Sequence, residues 1–141
     1  MDGAKLDDAA RELKPLGWSR EALELGAGQD FKCFYCKRDL LASIEDFDVW
    51  HFDHVIPVSK MGTDDIANKV VACKLCNFVK RNFDPRSTAR EGATLEELRA
   101  IATEHVAAGL KEKKARLDKF NDVLLRTGLI RPERAKGSGA K

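Results

Sequence analysis

The feature that most constrains this chain is a set of four cysteines that fall in two close pairs. Cys33 and Cys36 form one Cys-x-x-Cys knuckle, and Cys73 and Cys76 form a second. Each knuckle can direct two thiolates toward one ion, and four such ligands complete a tetrahedral zinc site. The spacing therefore predicts one structural zinc held by all four cysteines. The alternative, two redox-active dithiols, needs a thioredoxin-like context that the sequence lacks.

Composition places the chain among globular proteins. Its 141 residues suit one compact domain, and 43% of them are hydrophobic while 34% are charged. No apolar run approaches the roughly 18 residues of a membrane span. The charged N-terminus lacks the apolar stretch of a secretory signal. We therefore expect a cytoplasmic protein with no membrane partner, in which paired cysteines favour metal over disulfides.

The formal net charge of +2 is too small to establish a nucleic-acid partner. The positive excess lies in the C-terminal third of the chain, which contains a run of basic residues: Lys111, Lys113, Lys114, Arg116 and Lys119. These side chains can grip DNA, form a dimer surface or belong to an ordinary solvated helix, and the sequence leaves all three open.

Periodicity, capping residues and glycines predict short helices and strands. In chain order they are helices at 5–14 and 19–25, strands at 47–58 and 68–72, a helix at 76–82, and a long helix that opens at Thr94 and ends at Gly128. Thr94 followed by Glu97 is a capping box. Gly109 is a position at which the long helix can split. Trp18 and Trp50 are expected to pack.

An Asp-His pair, Asp53 and His54, interrupts the apolar run of the first predicted strand. Burying a polar group without a partner costs about 1–3 kcal/mol, and a charge costs more. The pair is therefore expected to face a site. A strand, a loop, a strand and a helix, with a knuckle at each end, would bring these two residues together with Asn68 and Asn77.

With these residues the chain resembles the HNH endonucleases of the ββα-metal (His-Me finger) class, in the HNN variant that has Asn in the last position. The resemblance covers 33–82 and rests on three segments: Asp53-His54-Val55-Ile56-Pro57, Asn68-Lys69-Val70-Val71, and Cys73-Lys-Leu-Cys76-Asn77 with Lys80. The intervals between the motif residues are similar to those in the HNH domain of CRISPR effector nucleases. The resemblance implies an α+β fold, a ββα-metal hairpin-plus-helix core stapled by the four-cysteine zinc site and flanked by N- and C-terminal helices.

The chemistry of phosphodiester hydrolysis gives three of these residues a role. His54 can act as general base, because an ordinary imidazole accepts a proton near neutral pH. Asp53 and Asn77 offer hard oxygen ligands, which suit a catalytic Mg²⁺ or Mn²⁺. The alternatives are a capping or paired aspartate, a histidine packed in the core and a plain surface asparagine.

The family implies that Asn68 holds the hairpin loop and orients the His54 ring. If that contact engages Nδ1–H, Nε2 is free to act as the base. Lys80 and Arg81 follow the last motif residue on the same helix, so we expect them to share its face and bind phosphates. The alternatives are that Asn68 is only a turn residue and that Lys80 and Arg81 form an ordinary solvated face. His51 lies on the same side of the strand as the Asp-His pair, and packing is favoured over a metal contact.

These inferences predict an N-terminal helical segment at 1–30, a nuclease core at 31–90, a C-terminal helical extension at 91–130 and a disordered tail at 131–141. The predicted function is a divalent-metal-dependent DNA endonuclease that nicks one strand per active site, with double-stranded DNA as partner. The alternatives are a noncatalytic zinc module that binds nucleic acid and a zinc-supported protein-interaction domain. The sequence leaves open whether DNA or RNA is preferred, which sequence is recognised, and whether the protein is a monomer or a homodimer.

Overall fold

The structure is a computed structural model, and it describes residues 2–134. Most of the predicted tail, from position 135 onward, lies outside the described residues. The chain divides into two compact units, Met1–Ala107 and Ala108–Lys141. The first unit contains both cysteine pairs and the whole resemblance to the nuclease motif, so it is the unit that holds the candidate site.

Two helices open the first unit. Helix α1 spans Gly3–Leu13 and helix α2 spans Arg20–Gly28. Ser19 caps α2 as predicted, because its hydroxyl accepts a hydrogen bond from a first-turn amide. The predicted end of α2 at residue 25 is wrong, since Gly26 lies inside the helix. A side chain there would collide with the Phe31 ring, 2.4 Å from the position of its Cβ.

A two-stranded antiparallel sheet forms the centre of this unit. Strand β1 spans His51–His54 and strand β2 spans Lys69–Ala72, with Asp53 opposite Val70. The second strand agrees with the prediction to within one residue. It is buried along its whole length, and the Lys69 ammonium anchors it through an ion pair of 2.6 Å with the half-exposed Glu21 of α2.

The first predicted strand, at 47–58, is wrong over most of its length. Helix α3 occupies Ile44–Asp48, because Ser43 caps it and two acidic residues stand in its first turn. β1 is only four residues long. After it the chain turns away from the sheet, and the Val55 amide still bonds to the Asn68 carbonyl at 2.8 Å.

Helix α4 spans Lys74–Lys80 and completes the ββα arrangement. It begins two residues earlier than expected, at the second cysteine pair, because the Cys73 sulfur accepts a hydrogen bond from the Cys76 amide and so caps the helix. The helix ends where Arg81 adopts a φ of 47°. Two antiparallel strands with flanking helices confirm the α+β class and the ββα core.

Helix α5 spans Leu95–Arg126. The predicted capping box is confirmed, because the Glu97 amide donates to the Thr94 hydroxyl at 3.1 Å and the Glu97 carboxylate lies 3.5 Å from the Thr94 amide. Gly109 does not split the helix. Gly128, at φ 74°, follows its end as expected. Among residues 2–134, no helix is both long enough and apolar enough to cross a membrane.

Candidate functional site

The four cysteines converge on one point. Their sulfur atoms all lie within 4.8 Å of one another, and the sulfurs of Cys36 and Cys73 are 3.9 Å apart. A tetrahedral zinc with bonds of about 2.3 Å places its sulfur ligands about 3.8 Å apart. Cys33, Cys73 and Cys76 are buried while Cys36 is exposed. The donor set and the spacing therefore fit one zinc ion.

The thiols also influence one another's ionisation. Hydrogen bonding from Cys73 lowers the pKa of Cys33 well below its ordinary value. The same contact with the Cys33 thiolate raises the pKa of Cys73 to about 11, and the neighbouring thiolate raises that of Cys76 further. Without a cation the cluster favours one thiolate over several, because adjacent negative charges repel. A dication would remove that repulsion.

An open pocket of about 600 Å³ lies beside the hairpin. Asp53 and His54 from β1 line it together with Asn77 and Arg81 from the region of α4. The structure thus brings together three of the residues that the motif singles out for catalysis. Two further lining residues, the half-exposed rings of Phe52 and Phe78, stand at the same pocket.

Two protein side chains hold Asp53 in place. Its side chain is only 5% exposed. The Tyr35 hydroxyl donates to one carboxylate oxygen, and the Lys80 ammonium lies 3.3 Å from the same oxygen. Burial raises the pKa of Asp53, and the adjacent ammonium opposes that rise. The carboxylate borders the pocket and is therefore available as an oxygen ligand, but its orientation is already set by protein groups.

Lys80 differs from its predicted role. The sequence placed it on an exposed face with Arg81, whereas its side chain is fully buried. Its ammonium donates to the His54 carbonyl at 2.9 Å and pairs with Asp53. Burial lowers the pKa of Lys80, and the Asp53 carboxylate counteracts the effect. In this position Lys80 supports the site from within the core, and it does not face a phosphate.

Arg81 remains on the surface. It is exposed, lines the pocket with Asn77, and places its guanidinium 4.3 Å from the centre of the Phe78 ring. Lys80 and Arg81 are adjacent in the sequence but have different surroundings, because α4 ends between them. The turn at Arg81 directs its side chain to the pocket side. Of the two predicted phosphate contacts, only this residue has the exposure that the role requires.

The half-buried ring of His54 meets a residue that sequence reasoning missed. Its Nε2 lies 2.8 Å from a carboxylate oxygen of Asp64, in the loop between the two strands. The same oxygen lies 3.1 Å from the Lys69 ammonium. The hydrogen bond with His54 lowers the pKa of Asp64, so this carboxylate is ionised near neutral pH. His51, the neighbour considered in the sequence, is exposed at the start of β1.

Asn68 acts on the loop that carries Asp64. Its side-chain oxygen accepts from the Ile56 amide at 2.9 Å, and its side-chain nitrogen donates to the Ile56 and Thr63 carbonyls at 3.0 and 2.8 Å. These bonds close the loop on itself. The loop-holding part of the predicted role fits this geometry. The ring of His54 is contacted by Asp64, the residue after Thr63, so Asn68 affects its orientation through the loop.

Two groups at the site had weak signals in the sequence. Asp64 stands in a polar loop with a second aspartate beside it, and no spacing rule distinguishes it. Tyr35 lies inside the first knuckle, which is a position that could have suggested a role near the metal cluster. His105 packs as a structural residue, because its ring stacks on Phe83 with ring centres 3.8 Å apart.

Residues 33–83 match the family model of the HNH endonuclease. This segment contains both knuckles, the hairpin and α4, and the match identifies it as an HNH endonuclease domain within the chain. No curated protein gives a significant match to the chain. The family consists generally of nucleases that act on nucleic acids, so the domain indicates nuclease activity or nucleic-acid binding.

Proposed function

We propose that this protein is a divalent-metal-dependent DNA endonuclease with a structural zinc. The observation that carries the proposal is that Asp53, His54 and Asn77 border one open pocket, next to a core whose cysteines can hold the zinc. Hydrolysis of a phosphodiester needs a base for water, ligands for a cation and space for the backbone. The pocket supplies all three.

His54 takes the proton of the attacking water. An ionised carboxylate can only accept hydrogen bonds, so the contact with Asp64 assigns the N–H to Nε2. The lone pair of the neutral ring then lies on Nδ1, the opposite tautomer from the one in which Nε2 acts as base. Asp64 orients the ring and stabilises the charge that develops on it when the proton arrives.

Asp53 and Asn77, which line the same pocket, would hold the catalytic cation through their side-chain oxygens. When bound, Mg²⁺ or Mn²⁺ would neutralise charge on the phosphate and on the departing 3′ oxygen. Two protein ligands leave most positions for water and phosphate, as suits a metal that must meet a substrate. Arg81 is placed to contact a neighbouring phosphate, and one active site cuts one strand in each encounter.

A specific observation favours a second candidate, a noncatalytic zinc module that binds nucleic acid. The Asp53 carboxylate is already satisfied by Tyr35 and Lys80, so the fold does not require a divalent cation there. Such a module would bind DNA without cutting it. The two functions differ in whether a divalent cation has any effect on the substrate.

Supercoiled plasmid separates these functions. With purified protein and Mg²⁺ or Mn²⁺, we expect relaxed circles to appear first and linear DNA later, because each active site cuts one strand. Chelator should stop the reaction. The same preparation of Asn77→Ala, which removes a half-buried ligand that lines the pocket, should be inactive. If the protein bound the DNA but did not cleave it with either Mg²⁺ or Mn²⁺, the noncatalytic module would be favoured.

Arg81→Gln should weaken DNA binding for all sequences. One phosphate contact contributes roughly 0.9 to the slope of log affinity against log salt on duplex DNA, so the slope should fall by about that amount. Arg11→Gln is the matched control, because Arg11 is an exposed arginine on α1 that pairs with Asp8. Fluorescence anisotropy over a salt series measures both variants. Equal slopes for Arg81→Gln and the parent would remove Arg81 from the interface.

A further inference from the structure

Tyr35 joins the cysteine cluster to the candidate catalytic centre. It lies between Cys33 and Cys36, so zinc binding by that pair would restrain its backbone on both sides. Its ring is 7% exposed and packs edge-on against Phe34 at 5.3 Å. Its hydroxyl donates to Asp53.

The second knuckle reaches the same carboxylate through α4. Lys80 is the last residue of α4, the helix that Cys73 caps and that contains Cys76. The Lys80 ammonium is 3.3 Å from Asp53. Each cysteine pair therefore sends one buried side chain to a single carboxylate. The knuckle and the hairpin are also joined through the backbone, because the Phe34 amide donates to the Val71 carbonyl at 2.9 Å.

We propose that Tyr35 and Lys80 are positioning residues that couple zinc binding to the affinity of the catalytic cation site, by fixing the rotamer of Asp53. The inference rests on the proposed function, in which Asp53 is a ligand of that cation. Partners of a metal ligand commonly change metal affinity by 10–100-fold when they are removed. Coupling between two sites is reciprocal, so the catalytic cation should in turn strengthen zinc binding.

Tyr35→Phe isolates the hydroxyl. The ring and its packing on Phe34 stay, so we expect unchanged zinc content and fold. Binding of Mn²⁺, followed by electron paramagnetic resonance without DNA, should weaken by about 10-fold or more. Phe34→Leu is the matched control, since it alters packing in the same knuckle but leaves the hydroxyl on Asp53. It should bind Mn²⁺ as the parent does.

A second measurement tests the coupling from the zinc side. Zinc release to a zinc-selective chelator should be reduced by Mg²⁺ in the parent and in Phe34→Leu, and reduced much less by Mg²⁺ in Tyr35→Phe, in which only Lys80 still contacts Asp53. Parental Mn²⁺ affinity in Tyr35→Phe would overturn the inference. If Tyr35→Phe did not fold, the parent alone would decide: the inference would be overturned if Mg²⁺ had no effect on the rate at which the parent releases zinc. A parent that bound no Mn²⁺ would refute the proposed function, and this inference with it.

Discussion

His54→Ala should lower the rate of plasmid cleavage by roughly 10²–10⁴-fold, the usual contribution of a positioned general base. The fold, the zinc content and the affinity for DNA should persist. His54 is half-buried at the pocket, and it is its backbone carbonyl that accepts the bond from Lys80, so truncating the ring leaves that contact in place. Single-turnover cleavage and anisotropy measure rate and binding separately.

The strand supplies a matched control for this variant. His51→Ala removes an exposed imidazole two residues away on β1, and it should cleave at the parental rate. Asp53→Ala is a poorer test of chemistry, because it leaves the buried ammonium of Lys80 without its partner and so lowers stability as well. Cleavage by folded His54→Ala at the rate of His51→Ala would refute the mechanism.

Cys73→Ser should remove most of the stability of the first unit. Structural zinc contributes an apparent free energy of about 10–16 kcal/mol in zinc-finger peptides, and where the site forms only on folding this becomes folding free energy. Cys73 is buried, and its sulfur also caps α4. Metal analysis should change from one zinc per chain to none, and the thermal unfolding transition followed by circular dichroism should be lost or fall steeply.

A second cysteine variant provides a comparison for this prediction. Cys36→Ser removes the exposed ligand, which caps no helix, so we expect it to lose zinc but to retain more structure than Cys73→Ser. Removing zinc from the parent protein with a chelator should lower its thermal stability as these substitutions do. A Cys73→Ser protein that unfolded at the parental temperature without zinc would show that the cluster has no structural role.

Local signals in the sequence predicted much of this domain. Ser19 and the pair Thr94 and Glu97 bond to amides within their own first turns, so their effect depends on near neighbours alone. The opposite case is the start of the strand predicted at 47–58, which apolar content suggested and whose first two residues belong to α3. There the cap from Ser43 and the acidic first turn favoured a short helix instead.

By itself the sequence determined the ligand chemistry: two cysteine pairs that can share one metal, and an Asp, a His and an Asn at intervals that a ββα unit brings to one pocket. Only the tertiary structure decided where the remaining charges lie. Lys80 is buried against Asp53, and Asp64 meets the ring of His54 across a loop. Neither contact follows from periodicity, because a buried ammonium depends on a partner from another element and the loop that carries Asp64 reaches His54 only when the chain is folded.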